Sequence, residues 1–125
     1  MEEKTTQNLF STNQQSNLWI IRFPPEFTKT EENEFFKTSP WLRGVEGIRC
    51  ILFDMTNVSY VNSAGIALLI RFVREARKNQ YQVAAFGVSP HYQKIFRIVG
   101  LTSYIELFAD EYGAIETLTT RNSYE

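Results

Sequence analysis

Residues 51–72 read ILFDMTNVSYVNSAGIALLIRF, and this stretch decides the fold. Its beginning belongs to a nearly continuous apolar run at residues 48–55, which is interrupted by Arg49 and, near its end, by Asp54. Such a run is typical of a central strand covered on both faces. After a short turn, residues 64–78 change to helical spacing and carry one apolar stripe. The residues of that stripe are Leu69, Val73 and Ala76. The stretch therefore predicts a buried strand followed by an amphipathic helix.

Further strands and helices alternate on both sides of this stretch. Apolar runs rich in β-forming residues predict the strands, while proline, glycine and capping residues mark the helix ends. The predicted strands cover residues 17–23, 48–55, 81–86 and 104–108, and the predicted helices lie within residues 26–40, 64–78, 89–100 and 110–118. Thr30 is the expected N-cap of the first helix. The alternation predicts an α/β fold in which helices pack on one sheet.

The length and composition fit one domain. The chain has 125 residues, of which 43% are hydrophobic, so it is long enough to bury a single core. We expect a polar segment at residues 1–16, in which Leu9 and Phe10 allow a short edge strand. A folded domain at residues 17–119 and a C-terminal tail at residues 120–125 complete the predicted organisation.

The charge and the apolar runs exclude several classes of partner. The formal net charge is −1 at pH 7, so bulk electrostatics favour neither nucleic acid nor an anionic membrane. No apolar run approaches the roughly 20 residues that span a bilayer, and the polar residues 1–7 lack the core of a signal peptide. The sequence predicts a cytoplasmic protein without direct contacts to nucleic acid or membrane, and it predicts no particular oligomeric state.

Few residues are available for catalysis or metal binding. Cys50 is the only cysteine and lies in the apolar strand, where a free thiol behaves as a small hydrophobe. His91 is the only histidine, which rules out a His-rich metal site and leaves a Ser-His-Asp triad without a supporting motif. Asp54 is the best-placed single acid, and one carboxylate is not a mechanism. We therefore expect no enzyme, no cofactor and no catalytic or metal site.

Ser63 is the residue that the start of the central helix singles out. It is the expected N-cap, with its oxygen accepting a hydrogen bond from the N–H of Gly65 or Ile66. The first-turn N–H groups carry the positive end of the helix dipole, so a phosphate on Ser63 would meet ready donors. Ala64 and Gly65 are small and allow another molecule to approach the backbone closely. The plainer interpretation of an Asn-Ser pair at a helix start is capping alone.

The motif and its surroundings resemble the STAS domain of bacterial anti-sigma-factor antagonists. The hallmark of that family, Asp-Ser-Ser/Thr-Gly, corresponds to Asn-Ser-Ala-Gly at residues 62–65, followed by the apolar helix residues 66–69. The helix that ends in Gly-Leu at residues 95–101 is similar to a later helix of the family, and the resemblance covers residues 17–119. It implies a single STAS-like domain, with a mixed sheet of four to five strands and about four helices mainly on one face.

The resemblance also implies a function. Ser63 corresponds to the phosphoacceptor of the family, which an anti-sigma factor with serine-kinase activity phosphorylates and a serine phosphatase dephosphorylates. The unphosphorylated antagonist binds the anti-sigma factor and frees the sigma factor, which regulates transcription indirectly. The alternative is a STAS scaffold or adaptor in a bacterial signalling complex that is not phosphorylated.

Two residues near the switch depart from the family pattern. Asn62 replaces the acid of the motif, and Thr28 replaces the aspartate of a Gly-x-x-Asp motif that corresponds to residues 25–28. Both changes remove negative charge near Ser63. The residues expected to surround the switch are Thr28, Asn62, Ala64 and Gly65.

The helix that follows Ser63 offers a candidate binding face. Ile66, Arg71 and Arg74 are the residues that we expect to contact the partner, because this helix borders the switch in the family. A solvated basic face is the plainer alternative.

Overall fold

The computed structural model describes residues 9–122. Its strands are β1 (Ser11–Gln15), β2 (Leu18–Arg22), β3 (Glu26–Phe27), β4 (Cys50–Asp54), β5 (Tyr60–Val61), β6 (Gln82–Phe86) and β7 (Ile105–Phe108). Its α-helices are α1 (Glu32–Lys37), α2 (Pro40–Arg43), α3 (Ser63–Lys78), α4 (Pro90–Ile98) and α5 (Glu111–Asn122). Short 3₁₀ turns at Lys29–Glu31 and Leu101–Ser103 precede α1 and β7.

Five strands form one mixed sheet in the order β1-β2-β4-β6-β7. β1 and β2 are antiparallel, whereas the remaining neighbours are parallel. β4 lies in the middle, where its Leu52 is paired with Ile20 on one side and with Ala84 on the other. The continuous apolar run of β4 is therefore explained by burial on both faces. The predicted α/β fold with a mixed sheet is confirmed.

The two faces of the sheet carry two separate cores. On one face, Ile21 and Phe53 belong to a core that also includes Phe72 of α3 and Phe96 of α4. On the opposite face, the side chains that alternate with them pack against α5. The members of this second core are Leu18, Ile20, Cys50, Leu52, Ala84, Phe86, Ala114 and Leu118. The helices of the described chain thus lie mainly on one face, and α5 covers the other.

Aromatic rings fill the space between the sheet, α1 and α3. Phe35 of α1 stacks on Phe72 of α3 with ring centroids 4.4 Å apart. Phe27 of β3 meets Phe35 edge-on at 4.9 Å and Phe23 at 5.2 Å. Such contacts contribute about 0.5–1.5 kcal/mol each beyond the area that they bury. They hold the short strand β3 beneath the start of α3, which is where the candidate site lies.

The structure differs from the sequence-based expectation at several boundaries. The sheet begins with β1, so the folded part starts before residue 17. The side chains of β1 are mostly exposed and show no apolar period, which is why the pattern placed only Leu9 and Phe10 in a strand. The capping residue before α1 is Thr28, and Thr30 is not the cap. α5 continues to Asn122, into the predicted tail, and the parts of the predicted end segments at residues 1–8 and 123–125 lie outside the described residues.

Candidate functional site

The start of α3 rests on a small two-stranded parallel sheet. β3 pairs with β5, which places Phe27 opposite Val61 directly before the helix. The carbonyl of Pro25 accepts a hydrogen bond of 2.8 Å from the N–H of Ser59 and one of 3.2 Å from the N–H of Tyr60. These bonds fix the chain that leads into α3, so the position of the first helical turn follows from the pairing of two short strands.

Tyr92 of α4 also contacts the chain that leads into α3. Its buried phenol oxygen accepts a hydrogen bond of 2.8 Å from the N–H of Val61 and lies 3.4 Å from the Val61 carbonyl oxygen. The sequence analysis did not identify Tyr92 as a residue of the site. Its spacing of four from Phe96 marks it only as part of the apolar stripe of α4, and the bond to β5 depends on tertiary packing.

Asn62, and not Ser63, is the N-cap of α3. The side-chain oxygen of Asn62 accepts a hydrogen bond of 2.9 Å from the N–H of Gly65, and its carbonyl accepts one of 3.0 Å from the N–H of Ile66. Asn62 has extended backbone because β5 ends at Val61, and an N-cap requires this conformation. The expectation that Ser63 caps the helix was therefore wrong by one residue.

Ser63 is the first residue of α3 and is exposed. Its hydroxyl makes no hydrogen bond with any residue between 9 and 122, because capping is done by Asn62. The backbone N–H groups of Ser63 and Ala64 have no protein acceptor in the described part of the chain, as expected for a first helical turn. An accessible hydroxyl thus lies beside free backbone donors at the positive end of a helix of 16 residues.

Gly65 is buried against the chain's own backbone. A Cβ atom at this position would lie 2.2 Å from the carbonyl oxygen of Phe27 and 2.9 Å from Cγ1 of Val61. The first turn of α3 therefore packs directly on β3. This corrects the expectation that Gly65 admits another molecule, because the space beside it is filled by β3. Ala64 is half-buried next to it and adds no hydroxyl to the site.

Thr28 follows the strand that contacts Gly65, but its side chain belongs to a capping box. Its hydroxyl donates to Oε1 of Glu31 at 2.9 Å and accepts from the N–H of Thr30 at 3.2 Å. The N–H of Thr28 also donates to the same Glu31 oxygen, at 2.8 Å. An aspartate at position 28 would place a second carboxylate against the buried Glu31. Threonine at position 28 adds no charge and is therefore compatible with the buried carboxylate of Glu31.

The solvent-facing side of α3 begins at Ser63. Exposed residues follow at helical spacing: Ser63, Ala67, Arg71 and Arg74. Ile66, which we expected on this face, is only 9% exposed and belongs to the core. The expectation failed for Ile66 because its position turns inward toward the sheet, whereas Arg71 and Arg74 lie on the outer surface.

The two arginines of this face differ in their side-chain contacts. Arg71 donates to Oε2 of Glu32 at 2.8 Å, and its guanidinium lies 4.3 Å from the centre of the Phe36 ring. Hydrogen bonds from Arg71 and Lys29 lower the pKa of Glu32. Arg74 forms no ion pair with any residue of the described chain. The face therefore carries one positioned cation and one available cation.

The other residues considered for chemistry are occupied elsewhere. Asp54 contacts Arg22 at 2.6 Å and accepts from the N–H of Thr56 at 3.0 Å. Burial acts to raise the pKa of Asp54, but the hydrogen bonds from Thr56 and Arg22 outweigh it and leave the pKa below its ordinary value. Cys50 is fully buried, and burial raises the pKa of its thiol to about 12. Neither group is poised as a base or nucleophile at neutral pH.

No metal-binding cluster and no membrane-spanning helix is found between residues 9 and 122. No three His, Cys, Asp or Glu side chains come together there as ligands for an ion. No helix in that range is both long and apolar enough to cross a bilayer.

The sequence is similar to those of known proteins. A family model for the STAS domain matches residues 10–114. The anti-sigma-B factor antagonist of Listeria monocytogenes is 34% identical over 62 residues, which are 50% of this chain and 54% of the relative. The chain thus spans about half the length of the curated relatives it matches.

Two solved structures show the same fold over most of the chain. SpoIIAA of Bacillus, an anti-sigma factor antagonist, in its unphosphorylated form has a TM-score of 0.68 at 18% identity, covering 87% of this chain and 96% of its own. An anti-sigma-factor antagonist (STAS) domain protein of Planctomyces limnophilus has a TM-score of 0.71 at 20% identity, covering 86% and 95%.

Proposed function

The chain belongs to the STAS domain family, and on that premise we propose that it is an anti-sigma-factor antagonist switched by reversible phosphorylation of Ser63. The unphosphorylated protein binds an anti-sigma factor with serine-kinase activity in the cytoplasm, and a serine phosphatase restores this form after phosphorylation. The protein acts by binding and not by catalysis, and it regulates transcription indirectly. The observation that carries the proposal is the exposed hydroxyl of Ser63 beside the free N–H groups of the first turn of α3.

The local electrostatics support a switch at this position. A phosphate on Ser63 adds about −1.5 to −2 charges, and the N-terminus of α3 favours them through its dipole and its free donors. The outer face of α3 otherwise presents Ala67 and the cations Arg71 and Arg74. A phosphate therefore makes the uncharged end of this face negative. Two unit charges 4 Å apart repel by about 4 kcal/mol at the effective dielectric of a protein surface, which is enough to release an acidic partner.

The departures from the family pattern are compatible with a switch at Ser63. Asn62 caps α3 through its side-chain oxygen, as an aspartate at the same position could. It adds no charge beside Ser63, so a phosphate there meets less repulsion than it would beside an aspartate. Thr28 is held by Glu31 and does not compete for the phosphate.

Ser63→Asp is expected to weaken binding of a kinase-type anti-sigma factor by at least tenfold, because it places a fixed negative charge at the contact. Isothermal titration with the anti-sigma factors encoded in the same genome measures the affinity. Ser103→Asp is the matched control, since Ser103 is also exposed but lies on the turn before β7. Unchanged affinity for Ser63→Asp, or an equal loss in both variants, would contradict the switch.

Phosphate transfer distinguishes this function from the alternative, a scaffold or adaptor that is not phosphorylated. The wild type is expected to gain the mass of one phosphate when incubated with the partner and ATP, and Ser63→Ala is expected to gain none. A stable complex without any gain of mass would favour the scaffold. Asn62 in place of the motif acid is the feature that gives the alternative its support.

A further inference from the structure

A second candidate site lies at the opposite end of α3. An open cleft of about 610 Å³ separates the last turns of α3 from the chain that connects α4 to β7. α3 begins near the carboxyl end of β4 and ends before β6, so the cleft lies at the amino edge of the parallel strands. From Ser63 to Arg77 the helix rises ~21 Å, at ~1.5 Å per residue, so the cleft is separate from the switch serine.

The floor and the far wall of this cleft are apolar. Val73 and Leu101 form the buried floor, and Ile70, Val99 and Tyr104 line the sides. Val99 and Tyr104 are 43% and 52% exposed. A concave volume of this size lies in the range of small-molecule sites, ~300–1,000 Å³, which are lined mainly by apolar side chains.

The charges of the cleft are all positive and all on one side. Arg74, Arg77 and Lys78 come from α3, whereas the opposite wall contributes no charged residue to the lining. The guanidinium of Arg77 lies 5.3 Å from the centre of the Tyr104 ring. Lys78 is 3.7 Å from Glu75, and Arg74 forms no ion pair with the described residues. Positive charge beside an apolar surface complements a ligand with one anionic head and an apolar body.

We propose that this cleft binds a fatty carboxylate, with the carboxylate toward the cations of α3 and the hydrocarbon chain on Val73, Val99 and Leu101. A nucleotide base is a poorer match, because Tyr104 is the only polar side chain that lines the wall opposite α3, and an inorganic anion alone would leave the apolar floor exposed to water. The site shares no residue with the first turn of α3, although Arg74 belongs both to the cleft and to the outer face of α3.

Dodecanoate below its micellar concentration is the probe that tests the site. Titration of delipidated full-length protein is expected to show saturable binding of one dodecanoate per chain. The backbone amide signals of Gly100, Leu101 and Tyr104 are expected to shift, while those of Asn62 and Ser63 stay in place. The neutral dodecanol and the cationic dodecyltrimethylammonium are expected to bind at least tenfold more weakly, since neither pairs with the cations of α3.

Two variants and one control locate the ligand. Arg77→Gln is expected to weaken dodecanoate binding at least threefold by removing a cation, and Val99→Glu at least tenfold by adding an anion to the apolar wall. Lys94→Ala removes an exposed cation outside the cleft and is expected to leave binding unchanged.

The proposal is overturned if dodecanoate does not bind, if all three amphiphiles bind equally, or if Val99→Glu binds like the wild type. Saturation of the cleft by an acidic amphipathic peptide but not by dodecanoate would also overturn it, by assigning the cleft to a protein segment.

Discussion

At the scale of single residues, two adjacent residues, Asn62 and Ser63, have different roles in the site. Asn62 caps α3, and this leaves the hydroxyl of Ser63 without a structural role. The sequence correctly predicted a cap at the start of α3. It did not distinguish Asn62 from Ser63, because asparagine and serine are about equally good caps. The choice is made by the end of β5, a two-residue strand that exists through its pairing with β3 and shows no pattern of its own.

Asn62→Ala is expected to lower the free energy of unfolding by about 1 kcal/mol, because the N–H of Gly65 loses its side-chain acceptor. Asn62→Asp preserves the acceptor, so its stability is expected to stay within about 0.5 kcal/mol of the wild type. Urea denaturation followed by circular dichroism measures both. Ser63→Ala is the neighbouring control and is expected to change stability by less than about 0.5 kcal/mol. A larger loss for Ser63→Ala than for Asn62→Ala would return the capping role to Ser63.

At the scale of elements, the long strands and helices were predictable and the short ones were not. β2, β4 and β6 are buried runs, and α3 and α4 carry apolar stripes, so their types follow from the period of their residues. β3, β5 and α2 have two to four residues each, which is too few for a period. The contact between Gly65 and the Phe27 carbonyl is part of this unpredicted layer, since it joins residues 38 positions apart.

Gly65→Val is expected to destabilise the protein by about 2–4 kcal/mol, because its side chain has no room against the carbonyl of Phe27. Thermal unfolding followed by circular dichroism measures the loss. Ala67→Val is the matched control, since it introduces the same side chain at an exposed position of α3, where only helix propensity changes, by less than about 1 kcal/mol. Equal stability of the two variants would show that the close contact with β3 is not tight. If Gly65→Val is destabilised as expected, any loss of partner binding by this variant is attributed to the fold and not to crowding of a partner.

At the scale of the whole molecule, the two proposed sites lie at opposite edges of the parallel strands. Ser63 lies at the carboxyl edge of the parallel strands, the cleft lies at their amino edge, and α5 covers the face opposite α3. Carboxyl edges of parallel strands are the usual position for recognition residues in α/β folds. The sequence indicated this position through the strand–turn–serine–helix order. It gave no indication of the cleft, because the cleft joins the end of α3 to a turn more than 20 residues later.

One ion-pair network joins α5 to the ends of two strands on the face of the sheet that α5 covers. Arg22, at the end of β2, contacts Asp54 of β4 at 2.6 Å and Glu111 of α5 at 3.0 Å. Hydrogen bonding to Glu111 raises the pKa of Arg22 despite partial burial. Burial acts to raise the pKa of Asp54, but hydrogen bonds from Thr56, and after them the bond from Arg22, leave it below its ordinary value. A carboxyl with a lowered pKa in the folded state stabilises the fold above its unfolded pKa, and this contribution is lost as the pH falls through the folded value.

Arg22→Met is therefore expected to lower the free energy of unfolding by about 1 kcal/mol at pH 7, the upper end for a partly exposed pair, and to speed hydrogen exchange in α5. The difference from the wild type is expected to persist down to about pH 4 and to shrink below it, as the pH falls through the lowered pKa of Asp54 in the folded state, because protonated Asp54 no longer pairs with a cation. Urea denaturation across this pH range measures it. Arg121→Met removes another ion pair of α5, the exposed contact with Glu106 at 2.9 Å, and is expected to cost less than about 0.5 kcal/mol. If the two variants behave alike, or if the Arg22→Met difference is independent of pH, the network does not fasten α5 to the sheet.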